Sequence, residues 1–319
     1  MTLKGASQAL ARQFALATAP RIKVPSLPLA ELDVRLLLAI VLTVISWASA
    51  FAGIRAALRD YSPEQVALLR YLTASAVLVV LAAIRGMPLP RWQDVPGIAL
   101  LGGIGFTLYN VALNAGEQRV SAGVASLIVA SVPIFVALAA GFLLHERLTT
   151  WAWRGILLSF SGVAIIALST GEGLALSLGA ALVLVAALAQ TTYTLGQKGF
   201  LKRYSPFQFV TYAIWLGTLF LMVFLPGLVT RIQTASTEST LAAVYMGVVP
   251  GVIGYLSWSY VLSRLPASKA GSFLYLVPPA AIAIAWLWLG EVPSLLALLG
   301  GALVLSGVAI VNTWGRTHK

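Results

Sequence analysis

The sequence has no cysteine and two histidines, His145 and His318. Disulfides, thiolate chemistry and cysteine-based metal sites are excluded, and a histidine metal site or Ser–His relay has almost nothing to draw on. Charge is also scarce. Only 10% of the 319 residues are Asp, Glu, Lys or Arg, against about 25% in a soluble domain. A water-facing surface for a chain of this length cannot be built from so few. Acids are the scarcer sign, 10 against 21 basic residues, leaving a net charge of +11. Glycine and proline follow no strict period, so collagenous and disordered classes fail too. What is abundant is apolar, at 59%.

The apolar residues fall in blocks. A membrane-crossing helix needs about 20 of them, and ten segments qualify: 36–57, 64–84, 96–115, 121–144, 152–170, 178–198, 207–228, 240–262, 268–289 and 294–314. The gaps are too short for a soluble domain. Residues 1–33 carry four bases and three prolines without a continuous apolar stretch. They read as a mobile cytoplasmic tail, not a signal peptide. With the N-terminus inside, sixteen basic residues fall on inner segments. Outer loops then hold only Arg55, Arg59, Arg119 and Arg231. That asymmetry predicts a multi-pass protein of the cell's inner membrane with both termini cytoplasmic. It also explains the basic excess without nucleic acid. Trp92, Trp151, Trp153 and Trp314 fall at the inner boundaries, where indole anchors to the interface.

The chain repeats itself. Shifted by 145 residues, Pro133 falls on Pro278, Glu146 on Glu291, Gly155 on Gly300, and the run 161–165 on 306–310. Earlier in the chain a shift of 143 places Tyr61, Ser62, Pro63 and Gln65 on Tyr204, Ser205, Pro206 and Gln208. Each half, 34–172 and 173–315, holds five predicted helices. Five is odd, so the second half starts from the opposite face and the repeats are inverted. The expected fold is an all-α integral membrane protein of ten transmembrane helices in two inverted five-helix repeats. That symmetry is characteristic of carriers with a midplane site.

Trp47 to Phe51, Ala67 to Tyr71, and the run from Ala125 through Pro133 to Leu148, Gly155 and Ser161 to Val163 together resemble the drug/metabolite transporter superfamily, EamA type. The resemblance covers about 36–314 and implies export of small metabolites. The chain is most similar to the aromatic amino acid exporters. Ala48 departs from the glycine that many members carry after the first-helix Trp.

The candidate substrate-binding set is Trp47, Arg70, Tyr109, Asn110, Gln190, Tyr193, Tyr255, Trp258 and Tyr275. Rings suit an apolar side chain, and the amides and hydroxyls suit an amino or carboxyl group. The same residues could equally be interhelical packing. Arg70 is the one base well inside a span. It either attracts a substrate carboxylate or bonds backbone carbonyls at a broken helix. Pro133, Pro250 and Pro278 are candidate hinges or static kinks. Gly155 with Gly162, and Gly300 with Gly307, mark a close helix contact, within the chain or between two copies.

All acids fall at predicted helix ends or loops. A facilitative uniport is therefore expected, with Glu146 and Glu291 as helix caps or the best remaining proton carriers. The expected partners are a small-molecule substrate, such as an amino acid or related metabolite, and the lipid bilayer, the protein being monomeric or homodimeric. No cofactor, metal or enzymatic activity is expected. The alternative is a multidrug or organic-cation exporter of the same fold, proton-coupled.

Overall fold

The computed structural model describes residues 33–143, 149–168, 178–265, 270–271 and 273–313. The predicted tail, Glu146 and Trp314 lie outside them. The described residues contain helices and turns, and no strand. In chain order the helices are α1 (Val34–Ala57), α2 (Pro63–Ile84), α3 (Val95–Gly102), α4 (Tyr109–Glu117), α5 (Ala122–Val129), α6 (Val132–Leu143), α7 (Thr150–Leu168), α8 (Leu178–Phe200), α9 (Pro206–Leu221), α10 (Leu225–Ile232), α11 (Thr237–Val248), α12 (Tyr255–Arg264), α13 (Val277–Leu289) and α14 (Leu295–Thr313). Wide π-helical turns, Gly103–Leu108 and Val249–Gly254, join α3 to α4 and α11 to α12.

By length and composition, six stretches can cross a bilayer: Val34–Ala57, Pro63–Ile84, Val95–Glu117, Leu178–Phe200, Pro206–Ile232 and Thr237–Arg264. Four shorter apolar helices lie at Ala122–Val136, Thr150–Ile166, Leu274–Leu289 and Leu295–Val311. Leu37, Val41, Ile45, Val79, Leu219, Val223, Leu287 and Leu299 are exposed. So much outward apolar surface belongs in lipid, not water. Trp92, Trp151 and Trp153 are exposed as well.

The repeat is written into local structure. Ser62-Pro63 and Ser205-Pro206 start the equivalent helices α2 and α9. In both, the glutamine three residues on accepts from the serine N–H, Gln65 from Ser62 and Gln208 from Ser205, each at 3.0 Å. Serine, proline and glutamine at these positions stop the preceding turn and satisfy orphan amides of the new helix.

Packing carries the repeat further. The Gly155 backbone lies against Gly307, and Gly162 against Gly300, so α7 and its equivalent α14 cross antiparallel. Between these glycine contacts, the Ser159 hydroxyl donates to the Val304 carbonyl at 3.0 Å, bonding a residue to its own equivalent 145 positions on. Ser75 and Thr218, equivalents 143 apart, share a hydrogen bond of 3.0 Å between α2 and α9. The glycine stripes thus pack within one chain. Gly102 abuts Ala213 and Gly217 of α9, while Gly247 abuts Arg70 and Thr73 of α2, the matching exchange.

One expected span is corrected. Segment 121–144 was expected as a single helix, but it breaks at Ala130-Ser131 into α5 and α6. Ser131 donates to the Ile128 carbonyl at 2.7 Å, tightening the turn that ends α5. Pro133 then sits in the first turn of α6, and its counterpart Pro278 in the first turn of α13 after the tight turn Leu274–Leu276. Each proline stands at a helix start, where no donor is missed, and so marks a break rather than bending a continuous helix. Pro250 lies inside the second π turn, where the missing N–H suits the widened backbone.

Candidate functional site

Aromatic rings meet where the two halves join. Trp47 of α1 lies 5.2 Å from Tyr255 and 5.5 Å from Trp258, both on α12. Phe106, in the first π turn, lies 4.8 Å from Tyr255, 5.1 Å from Tyr193 of α8 and 5.3 Å from Tyr71 of α2. The π turns explain the convergence. An i to i+5 turn rotates later side chains relative to a plain α-helix, and each π turn hands over to a helix carrying site residues, Asn110 on α4 and Tyr255 and Trp258 on α12.

Arg70 is 3% exposed and donates from Nη1 to Asn110 Oδ1 at 3.0 Å. Asn110 in turn donates from Nδ2 to the Tyr71 hydroxyl at 2.9 Å and to the Phe106 carbonyl at 3.0 Å. Among the described residues no carboxylate is bonded to Arg70. Its charge is held by an amide, which solvates a cation without neutralising it, and the local field stays positive. Trp47 Nε1, Arg70 Nε, Gln190 Oε1, Tyr193 OH and Trp258 Nε1 are buried with no hydrogen-bond partner among the described residues. A buried polar group left unmet costs about 1–3 kcal/mol. Five of them around one ring cluster is not how a finished core is built.

Of the nine candidates, Trp47, Arg70, Asn110, Tyr193, Tyr255 and Trp258 therefore belong to this joined cluster. Gln190 lies on α8 one turn from Tyr193, buried with its carbonyl oxygen unmet. Tyr109 is half-buried against the core. Tyr275 stands apart, its hydroxyl reaching the Val308 carbonyl of α14 at 3.5 Å. Tyr71 and Phe106 are central members that the sequence did not single out. Each is one aromatic among many in an apolar run, and only the fold tells it from a packing residue.

A cavity of about 520 Å³ opens at one mouth of the molecule, lined by Arg55, Leu58, Arg59, Gln118, Leu289 and Glu291. Arg55 Nε pairs with Glu291 Oε1 at 2.9 Å, and Arg55 Nη1 donates to the Glu117 carbonyl at 2.7 Å. Glu291 also accepts from the Ala122 amide at 3.0 Å, so it caps α5 instead of its own α14.

Glu117 overturns a premise. It is the last residue of α4, as its place in the sequence suggested, yet it is 0% exposed. Neither carboxylate oxygen has a hydrogen-bond partner among the described residues. The close pass of Gly116 against Gly179 and Val183 of α8 buries this helix end. A carboxylate at a helix end, where all acids were expected, is thus buried here and not solvated. Among the described residues no group of three or more His, Asp or Glu could hold a metal ion.

A duplicated helical unit that keeps unmet polar groups at the join of its two copies is the build of a membrane transporter. The comparisons agree. The model of the EamA-like transporter family matches residues 34–168 and again 177–313, and the chain belongs to that family, within the drug/metabolite transporter superfamily. It is 43% identical over 273 residues to an uncharacterized transporter, YdfC, of Bacillus subtilis, covering 86% of this chain and 89% of that one. It is 43% identical over 283 residues to a probable terminal-alkyne amino-acid exporter of Streptantibioticus cattleyicolor, covering 88% and 95%. A solved crystal structure shares the fold, with a TM-score of 0.61 at 17% identity over 88% of this chain and 97% of the other.

Proposed function

We propose that the protein exports small amphipathic metabolites, foremost aromatic and other neutral amino acids, by alternating access through a site at the ring cluster. One observation carries this reading: among the described residues, the ring cluster pairs apolar faces with unmet N–H, hydroxyl and carbonyl groups and a guanidinium that no acid neutralises. An amino acid offers the complementary set: a carboxylate for Arg70, an amino group for Gln190 Oε1 and Tyr193, and a side chain for the rings of Trp47, Tyr255 and Trp258. The resemblance to a relative named as an amino-acid exporter supports the same class.

The architecture behind it is ten crossings in two inverted repeats, 34–172 and 173–315, in the inner membrane with both termini cytoplasmic. The antiparallel α7–α14 crossing and the bond of Ser159 to its own equivalent support the inversion. The uneven spread of basic residues supports the orientation. Export of organic cations is the second reading. It would place an acid among the rings, whereas Glu117 lies seven residues beyond Asn110, about 10 Å along the helix.

The test is uptake of labelled amino acids and organic cations into proteoliposomes, with and without a pH gradient. Saturable movement of neutral amino acids supports the proposal. Movement of cations alone replaces it with the second reading.

A further inference from the structure

Beside the mouth lined by Arg55 and Glu291 lies a fully buried acid, Glu117, that the ring site does not use. Asn110, Asn114 and Glu117 stand at i, i+4 and i+7 on α4, one buried polar stripe running from the rings to this mouth. Asn114 Nδ2 donates to the Pro63 carbonyl at 2.8 Å, and neither Glu117 carboxylate oxygen has a hydrogen-bond partner among the described residues. An ionised carboxylate buried without donors carries a large desolvation penalty. Among the described residues the titratable groups around it are few, Tyr109 on its own helix being one. Arg55 faces it from α1, Glu291 from the turn after α13, and Arg70 from α2. The facing ends of α5 and α8, Ala122–Val129 and Leu178–Val185, contain no titratable side chain. Arg55 reaches the Glu117 carbonyl with Nη1 and holds Glu291 with Nε.

We propose that Glu117 is a proton-binding site linked to the opening of this mouth, a site that deepens the transporter reading and rests on it. In the closed arrangement Glu117 is the neutral acid and Arg55 pairs with Glu291. On opening, the Arg55–Glu291 pair breaks, the Glu117 O–H bond breaks, and its proton passes to water at the mouth. The carboxylate then takes the Arg55 guanidinium, and Glu291 stays ionised and solvated. Closing runs the same step backward and needs one proton from the same side. Two acids thus compete for one arginine, and the proton decides which holds it.

The chain lacks cysteine, so one introduced thiol reports the mouth cleanly. Ala122 is 0% exposed there, and Gln233 is exposed on a neighbouring loop. The experiment compares the labelling rate of Ala122→Cys with that of Gln233→Cys, using a membrane-impermeant thiol reagent on the purified full chain. The ratio cancels the reagent's own pH dependence. It should rise with pH, approaching about tenfold per unit where one proton is released on opening. With Glu117→Gln added, the ratio should stay low and flat. With Glu291→Gln it should be high throughout, because Arg55 has lost its competing partner. A flat ratio without either substitution, an unchanged rise in Glu117→Gln, or a low ratio in Glu291→Gln would each overturn the proposal. No substrate enters this measurement, so its failure is distinct from a failure to move amino acids.

Discussion

Arg70 is neither a free cation nor an ion-paired one, because Asn110 supplies the only side-chain acceptor bonded to it among the described residues. Asn110→Ala removes that acceptor and also leaves the Tyr71 hydroxyl without its donor. A hydrogen bond to a charged group is worth about 1.5–3 kcal/mol, so the variant should melt earlier by that order, read as a thermal shift in detergent. Arg70→Gln keeps a polar group facing the same amide. It should fold, retain most of its melting temperature, and lose saturable amino acid uptake. A folded Arg70→Gln protein that transports normally would assign Arg70 a packing role only. Trp47, Tyr255 and Trp258 were legible because polar or indole groups inside apolar runs are costly and few. Glu117 was not legible as an interior group. A glutamate at a helix end reads as solvated, and what buries it comes from α8, some sixty residues further on.

At the scale of elements, the two mouths are tied by related contacts. At one, Arg59 pairs with Glu238 at 2.9 Å, and the Asp60 carboxylate accepts from the Ser236 amide at 3.1 Å and from its hydroxyl. At the other, Arg203 pairs with Asp94 at 3.0 Å, and Asp94 accepts from Tyr204 at 2.7 Å. The half-buried Asp60 carboxyl is held below its ordinary value of 3.8 by the Ser236 and Ser239 hydroxyls. A depressed folded-state value means this contribution is full above the unfolded-state value and is lost as pH falls through the folded-state one. Asp60→Asn should therefore lower the melting temperature at neutral pH and flatten its decline on the acid side, below about pH 4. The glycine crossing is more severe. Gly162→Leu forces a side chain into the Gly300 carbonyl and should cost at least about 3 kcal/mol, seen as lost monodisperse protein on size-exclusion chromatography. Gly271→Ala meets nothing within 4 Å among the described residues and should change stability by less than about 0.5 kcal/mol. Helix length and caps were readable because serine, proline and glutamine act locally. The break at Ala130-Ser131 was hidden, since both residues are small and leave hydropathy unchanged, and only Pro133 hinted at it.

At the scale of the whole molecule, the proposed alternating access draws on the antiparallel crossing of α7 with its equivalent α14. The duplication could be read from paired offsets because proline, glutamate and glycine rarely coincide by chance in Leu/Ala/Val-rich sequence. Which rings would meet could not, because that depends on the π turns. The most direct measurement is counterflow in proteoliposomes, in which unlabelled phenylalanine trapped inside drives accumulation of labelled phenylalanine from outside. Transient accumulation above equilibrium is expected, competed by other neutral amino acids and absent from Arg70→Gln vesicles. Folded, correctly inserted protein that gives no counterflow with any neutral amino acid would contradict it.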